Sequence, residues 1–342
     1  MSRSTKREVV IEALGFRPPP YVPWAWDMTQ GCAERMKAHL GTDDLSEFVG
    51  THFLDVGDAI GHFEPLGNNL YRDTYGVVWD RSIDKDIGTP VEWPIRDPSD
   101  LADYEWPDAS DDSLYADIPG RLEAQPDLFS RYLIGFSLYE RAWTMRGLTD
   151  LLVDMVERPE FVEDLLDAIV EHNLVQVRKA LKFPIDAVYF GDDYGMQTGL
   201  IMGLKHWRHF FKPRLARMFA PVCEAGKYVF LHSCGCVVEL FDDLVEIGLN
   251  VFNPFQPEVM DVYAIKRRYH GHLAFHGGMS VQKVLPFGTP GEVREATARL
   301  LQAGRDGGYV FSPSHSVPPD VPPENLVAMM DVVRAQPGLD VA

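Results

Sequence analysis

The chain alternates short apolar runs with longer stretches in which apolar residues recur every three or four positions. The short runs fall at 21–27, 51–56, 131–137, 186–192, 228–233, 250–253, 272–277 and 308–312. They are rich in β-branched and aromatic residues and lack a polar face, the pattern of strands buried on both sides. Between them, 148–157, 159–181, 206–220, 237–247, 289–303 and 323–335 carry helical periodicity, as in Phe161, Leu165, Leu166 and Ile169. Thr289-Pro290 ahead of Glu292 reads as an N-cap followed by proline at the first helical position. Alternating strand and helix requires a parallel sheet, and eight strands predict a closed (β/α)8 TIM barrel, an α/β fold. The G-x-G-x-x-G turn that would favour an open dinucleotide-binding sheet does not follow any early strand.

One stretch breaks the rhythm. Residues 57–130 are proline-rich and acidic, and contain Tyr75-Gly76-Val77-Val78-Trp79 and Val91-Glu92-Trp93-Pro94. They read as a hairpin or lid inserted after strand two of a single 1–342 domain; long ordered insertions in compact enzymes often cover a site, and a purely structural flap is the equal alternative.

Charge narrows the partners. With 32 basic and 51 acidic side chains the formal charge is −19, a surface that repels phosphate backbones and anionic lipid. Nucleic acid and membranes are therefore excluded as partners. Cys32, Cys223, Cys234 and Cys236 do not form a secreted disulfide framework. The first nine residues have no apolar core of a signal peptide, so the cytoplasm is the expected compartment.

In a barrel the chemistry sits where strands end. Those ends carry Asp27, Asp55, Ser137 with Glu140, Asp192-Asp193, His232 with Cys234, Asn253 with Gln256, His276 and His315. Residues two apart in an extended segment point the same way, so His232 and Cys234 of Leu231-His232-Ser233-Cys234-Gly235-Cys236 both face the mouth. An imidazole and a thiolate suit Zn²⁺. His315 is the best third ligand, with Cys236, Glu140 and His276 in reserve. Adjacent carboxylates at a strand end face opposite ways, so one of Asp192 and Asp193 can enter the site while the other caps the following helix or takes a loop N–H. Glu140, Asp192 and Asp55 are the candidate catalytic groups. Asp27, Asp193, Gln256 and His276 are the candidate substrate contacts.

Several of these stretches resemble the uroporphyrinogen decarboxylase superfamily, in particular its cobamide-dependent methyltransferase branch. They include Ser137-Leu138-Tyr139-Glu140-Arg141, Phe190-Gly191-Asp192-Asp193-Tyr194-Gly195, Leu231-His232-Ser233-Cys234-Gly235, Phe275-His276-Gly277-Gly278 and Pro322-Pro323-Glu324-Asn325. The resemblance implies the same barrel. For that branch it also implies a zinc held by H-x-C and a later cysteine, and methyl transfer through a corrinoid carried on a partner protein. His315 stands where that cysteine is expected, which shifts the site away from thiols and toward oxygen or nitrogen substrates. The implied activity is a zinc-dependent demethylation of a small methoxylated or methylamine-type compound, in a chain whose relatives are commonly homodimers. The alternative is a metal-free decarboxylase that uses Asp55 or Asp192 with His315. The arginine pair with which decarboxylases hold their polycarboxylate substrate has no counterpart between Trp24 and Gly31.

Overall fold

The computed structural model describes residues 4–57 and 60–339. Seven parallel strands follow one another around a single curled sheet: β1 (Phe53–Val56), β2 (Phe129–Ile134), β3 (Ala187–Gly191), β4 (Tyr228–His232), β5 (Val251–Phe255), β6 (Ala274–Met279) and β7 (Tyr309–Pro313). The eighth stave is the segment 22–28. Ala25 N–H donates to Phe311 O at 3.1 Å, and Phe311 N–H donates to Pro23 O at 2.9 Å. On the other side His52 N–H donates to Trp24 O at 3.0 Å. The segment thus bridges β7 and the start of β1 and completes the TIM-barrel-like ring. It is not a regular strand, because Pro23 has no N–H to give to the ladder.

The barrel interior shows the period-two rule directly. One layer contains Ala25, Phe53, Phe129, Ala187, Phe230, Val251, Ala274 and Val310, one residue from each stave. Val10 and Leu14 join this layer from the helix Lys6–Leu14, which seals the barrel from below. Two residues further along each stave stand Asp27, Asp55, Arg131, Tyr189, His232, Asn253, His276 and Ser312. An apolar floor therefore carries a polar layer at the C-terminal mouth.

Outside the sheet, helices bury one stripe each. The helix Pro159–Ala180 turns Val162, Leu165, Leu166, Ile169, Val170 and Val177 inward. Thr289 caps the helix Pro290–Gly304, accepting from Glu292 N–H while the Glu292 carboxylate accepts from Thr289 N–H. Among the described residues no helix is long and apolar enough to cross a membrane.

The insertion after β1 is a four-stranded antiparallel meander, Phe63–Gly67, Leu70–Asp73, Val78–Asp80 and Thr89–Glu92. It is fastened by a buried carboxylate. Asp73 Oδ1 accepts the N–H groups of Tyr75 and Val77, both at 2.9 Å. Its Oδ2 accepts from Trp79 Nε1 and from Arg141 Nη1, both at 3.1 Å. Arg141 belongs to the helix Tyr139–Arg146, and its guanidinium lies 3.6 Å from the Tyr75 ring centre. Trp79 stacks on Phe136 at 5.5 Å. The meander is thus a buttress against the helix that begins with Tyr139 and Glu140.

Candidate metal centre

His232 is the last residue of β4 and Cys234 lies in the turn just beyond it; His315 lies two residues past the end of β7. One ligand atom from each lies within 4.8 Å of the other two. Cys234 Sγ and His232 Nε2 are 3.4 Å apart, close to the edge of about 3.5 Å that a tetrahedral zinc with ordinary Zn–S and Zn–N bonds requires. The donor set of one thiol and two imidazoles fits a borderline-soft dication, and three protein ligands leave a fourth position open.

The turn bearing Cys234 is held by its own backbone. Cys234 N–H donates to Asp193 Oδ1 at 2.7 Å, and Gly235 N–H donates to Gln256 Oε1 at 2.6 Å. Ser233 N–H donates to Asn253 O at 2.7 Å, and Tyr194 N–H donates to Ser233 Oγ at 3.0 Å. Two glycines let the β3 and β4 turns touch: a Cβ on Gly235 (φ +88°) would sit 2.4 Å from the Gly195 carbonyl carbon. Gln256, expected at the substrate, therefore has one oxygen committed to the Cys234 turn, and so does Asp193. Asp193 Oδ1 also lies 3.6 Å from His232 Nε2.

Acid groups crowd this centre. Burial, reinforced by the charges of Asp193 and Asp192, raises the Glu140 carboxyl well above the ordinary carboxylate range. Burial also raises the Cys234 thiol, and the charges of Asp193 and Glu140 add to it. A cation held there by His232, Cys234 and His315 would reverse the second effect, because coordination favours the thiolate. Burial lowers His315, with His232 contributing and Asp193 and Asp27 opposing.

The remaining expected site residues are placed differently. Asp192 is fully buried beneath the helix Tyr139–Arg146. It accepts Tyr139 N–H at 2.9 Å, Glu140 N–H at 2.7 Å and the Tyr194 hydroxyl. Burial pushes its carboxyl up to about 7 against the pull of these donors. Of the adjacent pair, Asp192 is the helix cap and Asp193 is the one at the centre. Asp55 is paired in both oxygens with Arg131, at 2.7 Å each. Asp27 is exposed on the rim. His276 is buried behind Asn253, its Nε2 donating to Ala25 O at 2.7 Å, and burial pushes it down to about 3.

Two residues of the polar layer, Arg131 and Tyr189, were not singled out from the sequence as site groups, and Asn253 was named at its strand end without a role. The Arg131 guanidinium lies 4.1 Å from the Phe53 ring centre and 5.0 Å from that of Tyr189. Tyr189 Oη donates to Asn253 Oδ1 at 3.3 Å. The signal for each is the same: it lies two residues past an apolar member of the interior layer.

A cavity of about 640 Å³ opens over Cys234 and His315, with Thr29, Gln256, Phe287 and Asp320 among its walls. None of its described lining residues comes from the insertion.

A family model described as uroporphyrinogen decarboxylase matches residues 82–336. Relatives named uroporphyrinogen decarboxylase include one from Bacillus mycoides (strain KBAB4), 24% identical over 346 residues that cover 94% of each chain. Another, from Chlorobaculum tepidum, is 23% identical over 268 residues, 73% of this chain and 72% of that protein. Among solved structures, a methyltransferase from Methanosarcina mazei superposes with a TM-score of 0.71 at 16% identity, over 97% of this chain and 98% of its own. The chain belongs to the uroporphyrinogen decarboxylase family.

Proposed function

We propose that this member of the uroporphyrinogen decarboxylase family is a zinc-dependent methyltransferase that works with a corrinoid protein and demethylates a small methoxylated or methylamine-type compound. The observation that carries the reading is the convergence of His232, Cys234 and His315 at the mouth of the barrel. Bound there, zinc would supply Lewis acidity to the substrate oxygen or nitrogen that keeps the electron pair when the methyl departs. The chain's own residues account for the rest. His232, Cys234 and His315 would hold the ion. Glu140, whose protonated form is favoured by burial and by the charges of Asp193 and Asp192, would give its proton to the leaving heteroatom. Asp193 would keep the Cys234 turn in place through the Cys234 N–H. The cavity above Cys234 and His315 is of a size for a small substrate, and the corrinoid on the partner would accept the methyl group.

The names of the curated relatives favour a second reading, a carboxy-lyase. It has fewer free groups to work with. Asp55 is tied to Arg131, and Asp192 accepts from two backbone N–H groups and a hydroxyl. His315 and the exposed Asp27 would have to serve.

The test is elemental analysis of protein purified without an affinity metal, wild type beside Cys234→Ala, together with methyl transfer to a reduced corrinoid protein followed by its visible spectrum. The expected result is about one zinc per chain in the wild type, lost with activity in the variant. Absence of metal from both proteins, with turnover of a carboxylate substrate after chelation, would establish the second reading instead.

A further inference from the structure

His232 is held from behind by a chain of polar groups that crosses three strands. Its Nδ1 lies 2.7 Å from Asn253 Oδ1. At the other end of the same amide, Asn253 Nδ2 lies 3.0 Å from the His276 carbonyl oxygen and 3.1 Å from His276 Nδ1. His276 Nε2 lies 2.7 Å from the Ala25 carbonyl oxygen. Asn253 and His276 are both buried.

Each step has one solution. A carbonyl only accepts, so Ala25 fixes a proton on His276 Nε2. A buried neutral imidazole then carries its lone pair on Nδ1. Two acceptors, that lone pair and the His276 carbonyl, face the same end of the Asn253 side chain, which must be its NH₂. The amide oxygen is thereby turned toward His232, where Tyr189 Oη also donates to it. That oxygen only accepts, so the His232 proton sits on Nδ1. In the neutral ring Nε2 is then left as a lone pair, 3.4 Å from Cys234 Sγ and 3.6 Å from Asp193 Oδ1. In the opposite tautomer Nε2 would carry hydrogen and could not bind an ion.

We infer that Asn253 is a positioning residue that sets the tautomer of His232, its own orientation being fixed by His276 and the Ala25 carbonyl. The relay acts before any ion arrives and makes one ligand of the centre ready for it. Its role toward zinc rests on the metal reading above; the tautomer itself does not.

The test uses the full chain and two variants. Long-range ¹⁵N-histidine spectra of metal-free protein report the proton on His232 directly. Zinc affinity is measured by competition with a chromophoric chelator at neutral pH. In the wild type His232 carries its proton on Nδ1. Asn253→Leu removes the acceptor; His232 then becomes a mixture of tautomers and zinc binding weakens roughly 10- to 100-fold. Asn253→Asp keeps an acceptor for His232 but loses the donor toward His276. It is expected to melt at a lower temperature yet keep the Nδ1–H tautomer and zinc affinity within a few fold, a split that a merely structural residue would not produce. An Nε2–H signal in the wild type overturns the inference, and needs no variant to fold. Wild-type zinc affinity in a folded Asn253→Leu protein overturns it too, while leaving the metal reading intact. A wild type that binds no zinc, with the Nδ1–H signal present and lost in Asn253→Leu, upholds the relay and removes only the metal reading.

Discussion

Asp192→Asn separates a structural carboxylate from a catalytic one. Asp192 accepts from Tyr139 N–H, Glu140 N–H and the Tyr194 hydroxyl, and has no exposed surface. An asparagine keeps one acceptor oxygen and turns an NH₂ toward at least one of these donors. One charge-assisted bond, about 1.5–3 kcal/mol, is lost and a buried N–H is left facing another donor. Relief of the buried charge offsets part of this, so the net loss is about 2–4 kcal/mol. For 342 residues the unfolding entropy is about 0.7 kcal/mol/K, so the melting temperature should fall by roughly 3–6 °C. Urea and thermal denaturation of the two proteins measure it. Zinc content should be unchanged, because the centre's ligands come from β4 and β7 and not from this residue. An unchanged midpoint combined with complete loss of turnover would refute the assignment of Asp192 as a helix cap and return it to the reaction.

Further outcomes follow from the same geometry. Glu140→Gln should lower kcat by about 10²–10⁴ with zinc retained. Because the folded Glu140 pKa is raised by burial and by Asp193 and Asp192, wild-type activity should fall as pH rises through that raised value, and the variant should lack this limb; an unaltered pH–rate profile would count against the proton-donor role. His52 and His276 are each pushed down to about 3 by burial, from about 6.5 in the unfolded chain. The unfolded state therefore takes up protons that the folded state refuses. Stability should be full above about pH 6.5 and decline toward pH 3, by up to about 1.4 kcal/mol per pH unit for each group; urea midpoints that stay flat from pH 7 to 5 would contradict this. Gly235→Ala forces a Cβ to within 2.4 Å of the Gly195 carbonyl carbon at a φ of +88°. The β4 turn must move, and zinc affinity should drop roughly tenfold or more, read by the same chelator competition.

The strands were legible because a barrel strand is buried on both faces, and runs such as 186–192 and 228–233 stand out by composition alone. Their limits shifted by one to three residues where a turn takes over, as at Phe136, whose φ of +46° ends β2 early. The cluster of His232, Cys234 and His315 was legible because two of its members share a strand end. The placement of the carboxylates was not. Alternation says that Asp192 and Asp193 diverge, but which one meets the Tyr139 helix depends on a contact 53 residues away. Asp55 looked available until Arg131, 76 residues on, took both its oxygens. That the insertion is braced against the Tyr139 helix was not legible either, because Arg141 is separated by 68 residues from the aspartate it binds.

That anchor ties events far apart in the molecule to one opening reaction. Asp73 and Arg141 are both almost wholly buried, so the meander cannot lift from the barrel without exposing an unpaired charge on each side. The first turn of the Arg141 helix carries Glu140, and its cap is Asp192. Undocking the meander therefore loosens the segment that carries Glu140, the proposed proton donor. Amide protons of Leu70–Asp73 and Val78–Asp80 should accordingly exchange with solvent at rates set by the same cooperative opening as those of Tyr139–Arg146, rather than by local fraying of a surface flap.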